Sequence, residues 1–246
     1  MAKVTPGLQS HRSTWNLAGQ RYNCHVRSLD QTPSPTIVES FFELRQLHST
    51  NWIELWGKTP NPFLTAILPA TESLGVDLAD ISFNANPASL GEIAFNVLLK
   101  KLRAALKLTL SNVTFLAENP DWEDAPKFLE VFQDLAARIQ AVAGQLPNSQ
   151  ECSLAFHIAP GPHDFGRATK SFVREDVIAP GDFYGLTRHR ADCAMTIDKS
   201  MKYANGAFVR LQRTFAGDVP FTQIAIALFE DEKEALKLLG INEVPQ

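Results

Sequence analysis

The chain has 246 residues, 45% of them apolar and 16 of them Phe, so it can bury a sizeable core without disulfide or metal staples. Its net charge of −4 supplies no global basic field for nucleic acid or an anionic membrane, and any such contact must be local. Cys24, Cys152 and Cys193 are odd in number, far apart and in no C-x-x-C pair, which excludes a zinc ribbon and fits reduced thiols in the cytoplasm better than a disulfide framework.

Residues 1–12 are polar with an early Pro-Gly and are expected to form a flexible tail. They contain no apolar leader-like core, and no charge-free run of about 18 residues follows, so the expectation is a cytoplasmic protein without a membrane span. Thr14 to Leu29 predicts a hairpin, with Trp15 and Leu17 before Ala18-Gly19 and Tyr22, Cys24 and Val26 alternating after it. Pro33 and Pro35 break the chain. Ile37, Val38, Phe41, Phe42, Leu44 and Leu47 then recur at helical spacing and predict a helix over 37–48. Asn51 to Asn61 predicts a short strand or irregular edge segment, 63–74 a short helix interrupted by Pro69, and 80–84 a short strand.

Ser89 and Glu92 have capping-box spacing and predict a helix over 89–107, with Lys100, Arg103 and Lys107 as a basic stripe. Leu108 to Leu116 alternates as a strand. Acidic residues 121–124 then open a helix from Ala125 to about Val142, stopped by Gly144 and Pro147. Residues 145–150 are the candidate joint between an N-terminal half (13–146) and a C-terminal half (150–246), as two halves or one compact unit.

The C-terminal half predicts a strand at 153–159 and a helix at 163–178, then strands at 183–189, 192–198, 207–213 and 221–229, and a final helix at 231–240. Short connections require antiparallel neighbours. The fold class is therefore α+β, a predominantly antiparallel sheet covered by amphipathic helices, with the C-terminal half ordered β-α-β-β-β-β-α. No internal repeat is visible by inspection.

The stretch from Ser153 to Lys170 is densest in chemistry. Gly161 to Gly166 has the G-x-x-x-x-G spacing of a phosphate loop, but Arg167 and Ala168 stand where Lys and Ser/Thr are needed. What survives is an anion site at Arg167 and Lys170, near a helix start. His157, His163, Asp164 and His189 are the candidate catalytic residues, since imidazole and carboxylate serve acid/base or metal chemistry, although their spacing matches no metal motif. Between Arg167 and Arg213, nine Lys/Arg face five Asp/Glu; Tyr184, Arg188 and Arg190 share a strand parity that suits base stacking beside phosphate contacts. Trp15, Trp52, Trp56, Trp122, Phe41 and Phe42 supply more aromatic surface than loops and edges need.

Three readings follow. The first is a non-enzymatic cytosolic interaction protein, a self-associating or partner-bound subunit of a larger assembly. The alternative is a metal- or anion-dependent enzyme or ligand-binding protein built on the His157/His163/Asp164/His189 region, its cofactor undefined. The third is local RNA or DNA binding through the basic C-terminal sheet.

Overall fold

The computed structural model describes residues 14–17, 20–23, 36–84, 93–119, 125–159, 185–204 and 206–241. Strands β1 (Thr14–Leu17) and β2 (Gln20–Asn23) form the expected hairpin as a separate two-stranded sheet. Among the described residues the main sheet has nine antiparallel strands: β3 (Thr36–Leu47), β4 (Ile81–Asn84), β5 (Ala94–Leu99), β6 (Ala104–Leu108), β7 (Asn112–Glu118), β8 (Ser149–Ala159), β9 (Leu186–His189), β10 (Cys193–Lys199) and β11 (Ala207–Ala216). Their spatial order is β4-β5-β6-β7-β3-β8-β11-β10-β9. Among the described residues four α-helices accompany them: α1 (Ile53–Trp56), α2 (Pro62–Glu72), α3 (Ala125–Ala143) and α4 (Phe221–Leu238). The α+β fold class is as the sequence predicts.

This order contains a repeat that inspection of the sequence does not reveal. Each half opens with a long strand, β3 or β8, and returns through hairpins to pair its last strand, β7 or β11, with the first. A helix then follows, α3 or α4. The two long strands pair with each other from Thr36↔Ala159 to Leu47↔Ser149, so both halves share one sheet.

Four predicted elements change type. Residues 36–47 form a central strand, not a helix. Its inward positions are Ser40, Phe42, Leu44 and Gln46, two of them polar, while Phe41 and Leu47 lie on the other face. Neither face is purely apolar, so the alternation is hidden, and a register shift between Ile37 and Glu39 blurs it further. The buried amides pay their desolvation locally: Gln46 Nε2 donates to Gln150 Oε1 at 3.1 Å, and Gln150 Nε2 donates to the Val219 carbonyl at 2.8 Å.

Beyond residue 92, the predicted helix to Lys107 is instead the β5–β6 hairpin, with Val97 and Leu99 facing inward beside Leu106 and Ala104. A 3₁₀ turn at Lys100–Leu102 reverses the chain, ending at Arg103 with φ 48°, a conformation that propensity does not predict for arginine. The basic stripe is dispersed as a result. Lys100 pairs with the buried Asp80, while Lys107 is exposed on β6. Residues 221–229, predicted as a strand, are the first half of α4, where Phe221, Ile224, Leu228 and Ala235 fall on one buried face and Ile226 is exposed. The segment from Asn51 to Asn61, expected as a short strand or irregular edge segment, contains the short helix α1. Leu108 to Leu116 spans a turn between β6 and β7, in which Thr109 N–H bonds the Asn112 carbonyl at 2.9 Å.

Helices α2 and α3 pack together, Phe132 of α3 lies 4.5 Å from Phe115 of β7, and Phe221 of α4 lies 6.1 Å from the same ring. The core therefore sits between one sheet face and these helices. The opposite face presents Phe41, Glu43, Arg45, Glu151, Ser153, His157, Arg210 and Gln212, all half-buried or exposed.

Candidate functional site

His157 and His189 both lie on the outer sheet face but do not meet. His157 stands opposite Phe208 on β11, whereas His189 stands opposite Ala194, which faces Gln212 on β11. Four residues along and three strands across separate them by roughly 20 Å. His163, Asp164, Arg167, Lys170 and Tyr184 lie outside the described residues, as do the predicted helix at 163–178 and the capping box at 89–92. Among the described residues no three His, Cys, Asp or Glu side chains are grouped to hold a metal ion.

His157 instead belongs to a cluster at the β10–β11 turn. Its Nδ1 is 2.9 Å from Ser200 Oγ, and that oxygen accepts the backbone N–H groups of Lys202 at 3.2 Å and Tyr203 at 2.9 Å. With both lone pairs engaged, the hydroxyl donates its own hydrogen to Nδ1, which leaves the imidazole proton on Nε2. Burial holds the His157 pKa below the ordinary histidine value, and Lys202 adds to the effect against the pull of Glu39. The pair has the form of a nucleophile and its base. Its chemistry is that of a turn cap, because Ser200 is 3% exposed and its oxygen has no lone pair to offer an electrophile. Glu39 completes the cluster by bonding Lys202 Nζ at 2.6 and 2.7 Å, and that contact lowers its pKa.

Arg188 and Arg190 converge on one carboxylate of α4 rather than on an open strand face. Arg188 stands opposite Met195 on the helix-covered side, and Arg190 follows the end of β9. Both reach Glu234 of α4, at 2.7 and 3.0 Å. The guanidinium contacts hold the Glu234 carboxyl below its usual range. The acidic helix thus takes up the charge that the sequence offers to phosphate. Arg213 is engaged in a similar way, its Nη2 donating to Asp231 Oδ1 at 3.1 Å.

The aromatic residues divide by position. Trp52 is 2% exposed beside Phe63, and Phe42 packs on Phe128 and Phe132, so these are core. Trp56 of α1 stacks on Phe95 of β5 at 4.4 Å, and Phe95 contacts Phe83 of β4 at 4.8 Å. Phe83 is 55% exposed, Ile53 of α1 is 47% exposed, and the Trp56 indole N–H is buried without a hydrogen-bond acceptor. β4 is the terminal strand of the sheet among the described residues, and Ser82, Phe83 and Asn84 are exposed. Sequence reading singles out Trp56 but not Phe83 or Phe95. The signal present in the sequence is the uncharged run Ile81-Ser82-Phe83-Asn84, with neither Pro nor Lys.

Among the described residues no helix is long and apolar enough to cross a membrane. No protein-family model matches the chain, and no curated protein matches it.

Proposed function

We propose that this chain is a non-enzymatic interaction protein that receives an extended segment of a partner along the β4 edge. The observation that carries the reading is Phe83, 55% exposed on a terminal strand and continuous with the Trp56–Phe95 stack. A terminal strand offers unpaired backbone N–H and C=O groups, and proteins that avoid pairing protect such edges with charge, proline or a bulge. Ile81–Asn84 carries no charge or proline, and its ladder with β5 is regular. Main-chain bonds to this edge would supply affinity, and the aromatic cluster would select an apolar side chain on alternate positions of the incoming segment. The widely spaced cysteines, with Cys152 and Cys193 buried as free thiols, support a cytoplasmic setting.

The test compares the wild-type chain with Phe83→Lys by size-exclusion chromatography and light scattering, pure and from native lysate. The wild-type chain is expected in a larger species that the variant loses while keeping its circular dichroism spectrum. A wild-type chain that runs as a partnerless monomer in both settings overturns the reading.

A further inference from the structure

The chemistry of the β4 edge, taken on the reading that it receives an extended segment of a partner, also selects which segment fits. A two-fold axis normal to the sheet pairs a strand with its own copy antiparallel, the one pairing mode this sheet uses among the described residues. Such an axis keeps the helix-covered faces of the two copies on the same side, so residues opposed across the seam must come from the same face. On β4 the faces are fixed by its register with β5. Ile81 stands opposite the buried Val97, and Phe83 stands opposite Phe95, which stacks on Trp56 of α1. Ser82 and Asn84 alternate to the other face. An axis through Ser82 meets the requirement: each Phe83 then faces Ile81 of the second copy, an aromatic ring against a β-branched side chain, which is a favourable cross-strand pair. An axis through Phe83 leaves Ile81 opposite a residue beyond Asn84, the last of the strand.

Self-pairing also sets every charge on a strand beside its own copy, so like charges meet at the seam. β4 carries none, and Lys100 beside its start is paired with the buried Asp80. β9, the other terminal strand among the described residues, holds Arg188 and His189 within four residues and is the poorer edge for self-pairing. We propose that β4 pairs with β4 of a second copy of this chain across a two-fold axis at Ser82, nine strands from each copy forming one continuous sheet. The contact is short, with one exposed aromatic ring per copy, and falls below the roughly 800 Å² per partner of a standard interface. The dimer is therefore one of micromolar affinity, about 1–100 μM.

Sedimentation velocity of the pure full chain from about 2 to 200 μM should show a monomer passing into a dimer and nothing larger. Phe83→Lys should weaken the dimer at least about thirtyfold, the loss expected of a central aromatic anchor, with the circular dichroism spectrum unchanged. Cys152 and Cys193 are buried, so a Cys24→Ser background leaves an introduced thiol to report on the seam. In that background Ser82→Cys should give a disulfide-linked dimer under mild oxidation, because opposed residues of antiparallel strands lie about 4.5–5.5 Å apart at Cα. Asn84→Cys, displaced from its own copy by four residues or roughly 13 Å along the strand, should not. A chain that stays monomeric throughout, a dimer indifferent to Phe83→Lys, a mass that grows past two copies, or cross-linking that does not favour Ser82→Cys over Asn84→Cys would overturn the proposal. A pure monomer that still enters a Phe83-dependent species in native lysate removes the second copy alone and leaves the edge to another partner. Loss of both species removes the edge reading itself.

Discussion

His48 follows the last residue of β3, is 8% exposed and lies with its ring tilted against Trp52 at 4.6 Å, with neither ring nitrogen hydrogen-bonded. Burial pushes its pKa from 6.5 to about 4. Above pH 6.5 both folded and unfolded chains hold a neutral ring, and stability is unaffected. As pH falls through 6.5 the unfolded chain takes a proton that the folded chain refuses until about pH 4, so stability is lost across that window. Near pH 5 the loss is about 2 kcal/mol. Urea denaturation at pH 7 and pH 5 should show it, and His48→Phe should flatten this part of the pH dependence. A wild-type chain equally stable at both values would contradict the assignment. At this scale the sequence is informative about residue chemistry and silent about surroundings. His157 and His48 each follow an apolar residue, yet one ring bonds a turn serine and the other ring has no hydrogen-bond partner.

The joint between β11 and α4 shows what an element needs from its neighbours. Gly217 lies against the 147–148 segment so closely that a Cβ would run into the Pro147 carbonyl, a backbone atom that cannot rotate away. The carbonyls of Ala216, Gly217 and Val219 surround the Gln150 amide, which ties this joint to the central strand β8. Gly217→Ala is therefore expected to destabilise by about 1–3 kcal/mol, read from the thermal midpoint. Gly144, with open space around its α-carbon but φ 72°, should suffer only the smaller backbone penalty of alanine. Helices α2 and α3 were legible because their signals are local: Asn61 caps α2 through the Phe63 and Leu64 N–H groups, and α3 has a continuous apolar stripe. The hairpin β5–β6 was not, because its reversal rests on a left-handed arginine and on strands that satisfy one another's backbone.

Across the whole molecule, the β3–β8 seam makes the two halves one hydrogen-bonded sheet, and α4 is locked to it by charge. Asp231 is 3% exposed, and burial, its largest influence, raises its pKa against the opposing pull of Arg213. Asp231→Ala removes the partner of a mostly buried guanidinium and is expected to cost about 3 kcal/mol. All four tryptophans, at 15, 52, 56 and 122, lie in the N-terminal half. If the seam transmits stability, tryptophan fluorescence should report the same lowered midpoint for Asp231→Ala as far-ultraviolet circular dichroism. An unshifted fluorescence transition would mean that the halves unfold separately.

By itself the sequence determined the α+β class, the strands β8 to β11, the helices α2 and α3 and the residue types available for chemistry, because these depend on composition, local periodicity and turn chemistry. Only the tertiary structure decided that residues 36–47 are the central strand, that the halves repeat one topology, and that His157 and His189 stand apart. It also joined Arg188 and Arg190 to Glu234 and set Phe83 on an edge. Each of these depends on partners distant in the chain: a strand exists through its neighbours' hydrogen bonds, and a side chain's role depends on what faces it across the sheet.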